Sequence, residues 1–247
     1  MKIRFSKKLI FIGWIGLTNL LFAQNRIISR FPIGEELTYS AWLNFMKVGY
    51  STITIKAIEL VDGFPVYHVE SITKTSPFYS RIYRVNDRFN SWIDLDGLFS
   101  RRYEKSLREG KYKKDYQAYF DYNEKKAYTS RDTLDIDGRM HDALSVIFWV
   151  RAEYLFPGRV IRLNNFDNNK LRLFNVIVSG LETLQVPAGE FQCFVLEPYA
   201  DDGKLFKNQN KMTIYLSNDS LRLPVMIDNE ANFGRMIFKL ENRTIRQ

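Results

Sequence analysis

Few residues in this chain have the types and spacing that catalysis needs. There are two histidines, His68 inside the alternating run "VYHVESI" and His141 ahead of an apolar stretch, and neither sits in an HExxH-like spacing. The single cysteine, Cys193, is flanked by Phe194 and Gln192 in "FQCFVL", the setting of a small core hydrophobe rather than of an electropositive, accessible thiolate. No G-x-S-x-G elbow and no phosphate-cradling glycine loop occurs. The densest oxygen cluster, "DTLDIDGRMHD", offers Asp132, Asp135, Asp137, His141 and Asp142, a set that a hard cation such as calcium would use. Its spacing fails an EF-hand: aligning Gly138 with the loop glycine puts Thr133 at the first ligand position and Leu144 where a bidentate Glu belongs. The stretch reads as an Asp-rich loop turning at Asp137-Gly138. The reading is of no catalytic residue, no metal site and no cofactor.

Binding chemistry is better represented. "LREGKYKKDYQAYFDY" (107–122) sets lysines among tyrosines that recur on alternate positions. If Glu109-Gly110 forms a two-residue turn, Leu107 faces Tyr112, Lys105 faces Lys114 and Tyr103 faces Tyr116, all on one face. Two lysines directly opposite one another repel unless water or an anion intervenes. A concave wet surface taking an apolar ligand with an acidic head would account for both the aromatics and the lysines. Lysine stems snorkelling at a sheet edge account for them equally. Arg151 is the other candidate, one charge inside "SVIFWVRAEYL". At ~100° per residue it falls on the face of Leu144 and Ile147, so it needs a carboxylate or an anionic ligand. The ligand-binding candidates are therefore Tyr103, Lys105, Tyr112, Lys114, Tyr116 and Arg151.

The first residues read as an export signal. Lys2, Arg4, Lys7 and Lys8 precede the uncharged run Leu9 to Phe22, and Leu21 and Ala23 occupy the −3 and −1 positions before Gln24. The run is shorter than the ~18 to 20 residues that span a bilayer, and no Cys follows to carry a lipid anchor. Residues 1–23 are thus expected to be a cleaved signal peptide, with an uncleaved N-terminal anchor as the alternative, leaving 24–247 as one periplasmic domain of a Gram-negative envelope with no transmembrane span in the mature chain. Removing the four positive charges of the leader from the net +8 leaves +4. That is a mild excess for an exported chain, and nucleic acid is not an expected partner.

Elements that could position these residues are mostly period-2 runs broken by turn signals. "EELTYSAWL" and "GYSTITIKAIEL" are followed by Asp62-Gly63 and "FPVYHVESITKT", and Asp96-Gly97 and Glu109-Gly110 divide the next runs. "SPFYSRIY" admits a short helical turn. "HDALSVIFWVRAEYLFPG" lacks alternation, opens on Asp142 and ends at Pro157-Gly158, which predicts one main buried helix over about 141–156. Further strand runs follow to the C-terminus. The fold class is mainly β: a curled antiparallel sheet of many hairpin strands, tending to a half-barrel, packed on the helix.

In order along the chain, "FPIGEELTY", "VGY", "HDALSVIFWVR", "VPAGEFQCFVLEP" and "IYLSNDSLRLPVMI" resemble the exported bacterial family catalogued as domain of unknown function 3108. The resemblance runs from about Phe31 to Leu240 and implies an envelope β-rich protein, with no activity attached. A looser likeness, in architecture only, is to periplasmic lipoprotein carriers, whose curved sheet holds acyl chains. Three functions stay open: a non-catalytic carrier of a lipid or other amphiphile, a structural or assembly partner of envelope proteins, and an envelope hydrolase working with Asp or Glu.

Overall fold

The computed structural model describes residues 29–200, 209–231 and 234–246. The expected signal peptide lies outside the described residues. The chain runs β1 (Glu35–Leu43), β2 (Met46–Val61), β3 (Phe64–Thr75), β4 (Asn86–Asp94), β5 (Ser100–Glu109), β6 (Tyr112–Asp121), β7 (Lys126–Thr129) and β8 (Thr133–Asp135). It continues through β9 (Met140–His141), the helix α1 (Ala143–Ala152), β10 (Val160–Asp167), β11 (Lys170–Val186), β12 (Gly189–Ala200), β13 (Gln209–Ser217), β14 (Pro224–Ala231) and β15 (Gly234–Ile245).

Among the described residues all fifteen strands form one sheet, in the order β8 down to β1, then β15 down to β9. Two antiparallel meanders are thus joined where the first strand pairs with the last, from Glu35 opposite Ile245 to Leu43 opposite Met236. Local sequence explains the meanders. Asp62 and Gly63 both take positive φ (51° and 80°), as do Asn168 and Asn169 (51° and 59°), the conformation that matches the twist of two-residue hairpins. The runs "KLRLFNVIVSG" and "ETLQV" lie in the single long strand β11, with a register shift between Val178 and Gly180 where the glycine lets the strand bend.

The sheet curls until its two edges meet. β8 and β9 are separated only by the stretch 136–139, and the seam between the halves is made by side chains rather than ladder hydrogen bonds. Phe120 on β6 meets Phe166 on β10 edge to face at 5.1 Å, and Tyr116, Ala127, Ile136 and Met140 pack around them. This is a barrel-like curl of an open sheet, as the alternating pattern predicts.

The helix closes one end. It is shorter than predicted, Ala143–Ala152 rather than 141–156. His141 is held in a parallel bridge to β10, and Glu153 is already extended with ψ 151°, so the ends belong to other structure. Asp142 is the N-cap: its Oδ1 accepts from the Leu144 and Ser145 amides at 2.7 and 3.1 Å, while Ser145 Oγ accepts from the Asp142 amide at 2.9 Å, a capping box. Asp142 Oδ2 also accepts from Ser91 and Ser100 at 2.6 and 2.5 Å, which bolts the helix start to β4 and β5. Phe148, Leu144 and Ile147 enter the core made by Leu37, Ile55 and Val69. Val150 joins a second core with Val178 and Leu196 from the other half.

Candidate functional site

A central cavity of about 320 Å³ lies above the helix. Its wall draws on strands of both halves, and its floor is Ala143, Leu144, Val146 and Ile147 of α1. The strand period creates it. Inward positions two apart share a face, and on strand after strand the core residue lies nearer the helix while the cavity residue lies nearer the opposite end. On β2 the sequence from floor to mouth is Ile55, Ile53, Ser51; on β11 it is Val178, Val176, Phe174; on β13 it is Leu216, Ile214, Met212. The mouth therefore faces the rim that carries the β1–β2, β3–β4, β5–β6 and β10–β11 connections.

The wall is apolar with few polar atoms, and most of those are spoken for. Ser51 Oγ and Thr73 Oγ1 are 2.9 Å apart, Tyr39 donates to the Pro224 carbonyl at 2.9 Å, and Asn165 donates to the His141 carbonyl at 3.0 Å. Asp167 is the one carboxylate among the described lining residues. It accepts from Lys105 Nζ at 2.5 Å and from Asn168 at 2.7 Å. The phenol of Tyr103, which also lines the cavity, has its pKa pushed well up by burial, with the nearby Asp167 charge adding to the effect. It stays a neutral phenol at any physiological pH.

The hairpin candidates fall out differently from expectation. The β5–β6 loop is Gly110-Lys111, with Glu109 opposite Tyr112, so Lys105 pairs with Tyr116 and Lys114 with Leu107. The expected Lys105–Lys114 opposition is therefore incorrect. Gly110 carries a φ of 57° and takes the first loop position, which moves each partner along by two residues. A two-residue move preserves the face, so Tyr103, Lys105, Lys114 and Tyr116 still point inward together. What meets them is the β10–β11 turn: Lys105 on Asp167, Lys114 on the Asn168 side chain, and Tyr116 donating to Asn169 Oδ1 at 2.8 Å. Burial lowers the Lys114 pKa, and the Lys105 and Arg131 charges add to that. Tyr112 is half exposed at the hairpin tip, away from the cavity.

Arg151 lies on the floor's far side in an ion pair. Its Nη1 donates to Glu35 Oε2 at 2.8 Å and its Nη2 to Oε1 at 3.2 Å, with a further bond to the Leu221 carbonyl at 3.3 Å. Arg243 Nε donates to the same carboxylate at 2.9 Å. Burial works to raise the Glu35 pKa, but the hydrogen bonds and charges of the two arginines outweigh it and hold the group below its ordinary value.

The remaining reactive types are placed as follows. His68 is stacked on Trp92 at 4.7 Å and bonded to Glu59 at 2.8 Å. His141 is buried against Trp149, and burial pushes its pKa down to about 4. Cys193 is buried, its thiol pushed up to about 11 chiefly by that burial. Among the described residues no group of acids, His and Cys gathers in a metal-binding arrangement.

Of the sequence candidates, Tyr103 lines the cavity and Lys105 bonds to its lining residue Asp167, whereas the other wall residues were not among them. The available signal was polar or small residues at inward positions of otherwise apolar strands: Ser51, Ser71, Thr73 and Asn165.

Comparison with known proteins gives a family and a fold. A family model described as "Protein of unknown function (DUF3108)" matches residues 36–241. A β-barrel-like protein of the domain of unknown function DUF1849 from Brucella abortus superimposes with a TM-score of 0.57 at 10% identity, over 87% of this chain and 99% of that one. A DUF1089 family protein from Pseudomonas aeruginosa gives 0.40 at 10% identity, over 74% and 90%. A Bacteroides fragilis protein with a YmcC-like fold gives 0.36 at 13%, over 87% and 98%. No functionally curated protein matches the chain.

Proposed function

The chain belongs to the DUF3108 family of proteins of unknown function, and within that family we propose that it is a non-catalytic binding or carrier protein that holds an apolar or amphiphilic molecule in its central cavity. The observation that carries this reading is the apolar cavity of about 320 Å³, walled by both halves of the sheet and floored by α1. Ligand cavities of roughly this size and lining, pre-formed and carrying a few placed polar groups, are the ordinary form of small-molecule sites. A pair of facing carboxylates, which hydrolysis by acids would use, needs two such groups, and this wall offers Asp167.

The ligand's apolar body occupies the space between Ile53, Val176, Ile214 and the helix, with its polar end at the Tyr103–Asp167 mouth. An acidic head group must compete with Asp167 for Lys105, so a neutral hydrogen-bonding head fits the closed pair better than an anion does. The leader-like Lys2 to Ala23 segment supports a periplasmic setting. Finding the chain's N-terminus intact on membrane-bound protein would overturn that assignment.

Titration with a neutral fluorescent probe such as N-phenyl-1-naphthylamine tests the cavity. Ala143→Trp and Val176→Trp, which fill floor and wall, should lower probe affinity at least tenfold. Unchanged affinity in both, with cooperative melting retained, would rule the cavity out as the site. Mass spectrometry of organic extracts from the purified protein would identify a copurified ligand.

A further inference from the structure

The rim around the cavity mouth carries an unusual surface. In the β3–β4 connection a single 3-10 turn, Tyr79–Arg81, presents Phe78 and Ile82 to solvent at 67% and 77% exposure, with Tyr83 at 53%. From Lys74 to Val85 the segment holds Lys74, Arg81 and Arg84 and no acid. The β5–β6 tip stands against it: the Gly110 amide donates to the Arg84 carbonyl at 2.7 Å, and a Cβ on Gly110 would come within 2.9 Å of the Tyr83 ring. That tip adds Lys111, Tyr112 and Lys113, with Glu109 and the buried Asp87 beside it as neighbouring acids, while Asp115 is taken up by Arg108 at 2.8 Å. On the other side the Ser76 amide donates to the Val48 carbonyl at 2.9 Å, which ties in the β1–β2 hairpin whose tip residue Phe45 is 83% exposed.

Exposed large apolar side chains set among cations, on a rim next to an apolar cavity, point to one kind of partner. We propose that this rim docks on an anionic lipid bilayer, with Phe78, Ile82 and Phe45 entering the interface and Arg81, Arg84 and Lys111 engaging the head groups. The charge is complementary to such a surface, and the apolar residues stand at its tips, as interfacial anchors require. Docking there sets the cavity mouth toward the membrane, so the inference extends the carrier reading by naming where cargo would be exchanged. What marks the rim is the grouping of Phe78, Ile82 and Tyr83 in one short basic segment beside the Phe45 tip, since exposed apolar residues that stand singly, such as Leu60 at 70%, are ordinary.

Cosedimentation of the whole protein with vesicles tests it, without any ligand-transfer readout, so the result is separate from whether the cavity binds. Vesicles of phosphatidylcholine with phosphatidylglycerol should bind the protein and pure phosphatidylcholine vesicles should not, and binding should weaken as salt rises. Arg81→Gln and Arg84→Gln should each weaken it about fivefold, the effect of one basic residue near an anionic surface. Phe78→Ser with Ile82→Ser should weaken it at all salt concentrations. Both positions are exposed, so melting temperatures should stay at the parent value. Equal binding by parent and arginine variants, or no binding to either vesicle, would overturn the proposal. Self-association that Phe78→Ser abolishes, without vesicle binding, would overturn it in favour of a protein interface.

Discussion

Arg151 in the last turn of α1 grips Glu35 at the start of β1 with two parallel hydrogen bonds, at 2.8 and 3.2 Å, across 116 positions of sequence. The pair is buried, and the guanidinium sits over the rings of Phe31 and Phe148 at 4.6 and 5.3 Å. A cation at a helix C-terminus is also favoured by the helix dipole. This contact seats the floor of the cavity on the strand that joins the two meanders.

Removing one member of this pair should be costly, because the other is left buried. Arg151→Met is expected to lose about 3 to 5 kcal/mol in urea denaturation. The folded-state pKa of Glu35 lies below its ordinary 4.5, so the pair's contribution is complete above that value and is lost as pH falls below it. The stability gap between parent and variant should therefore shrink under acid. A loss below ~1 kcal/mol at neutral pH would show that Arg243 alone satisfies the carboxylate.

His141 sets a second pH dependence. Its folded pKa is pushed from 6.5 down to about 4 by burial, so the folded state takes up its proton later than the unfolded chain does. Stability is complete above about 6.5 and declines as pH falls toward about 4. Melting temperature measured across that window should drop more steeply for the parent than for His141→Phe. Parallel curves would mean the ring is hydrated. Asp142, whose pKa is raised by burial despite its hydrogen bonds, is common to both proteins and cancels in the comparison.

Phe148 is 1% exposed and meets Phe31 edge to face at 5.1 Å. Phe148→Ala should cost about 3 to 5 kcal/mol by chemical denaturation. A cost near zero would mean that this side of the helix borders empty space and that the cavity extends below it.

The Lys105–Asp167 pair predicts an asymmetry. Lys105 is 5% exposed in its side chain and Asp167 is 43% exposed. Lys105→Met leaves a carboxylate that water can reach and should cost under ~1 kcal/mol; Asp167→Asn leaves a buried ammonium and should cost about 1 to 3 kcal/mol. Asp167→Asn should also raise affinity for a fatty-acid analogue, since Lys105 is then released to an anionic head. The reverse order of stabilities would show that the lysine has another partner.

Alternation of apolar and polar residues, with Asp62-Gly63 and one non-alternating stretch opening on Asp142, determined the mainly β architecture and its single helix, because side-chain period and turn dihedrals are local properties. The short helical turn at Tyr79–Arg81 and the buried character of Arg151 were legible for the same reason. The β5–β6 register was not: both Glu109-Gly110 and Gly110-Lys111 place the glycine in a two-residue loop, and they differ only in which loop position it fills. Packing of Tyr116 and Lys105 against the Asn169 and Asp167 turn decided between them. Nor could the sequence show that Glu35 answers Arg151, that β1 pairs with β15, or that Ser51 and Thr73 face a space rather than a core. Those depend on how far the sheet curls before its edges meet, and the curl is set by side chains such as Phe120 and Phe166, whose contact joins residues far apart in the chain.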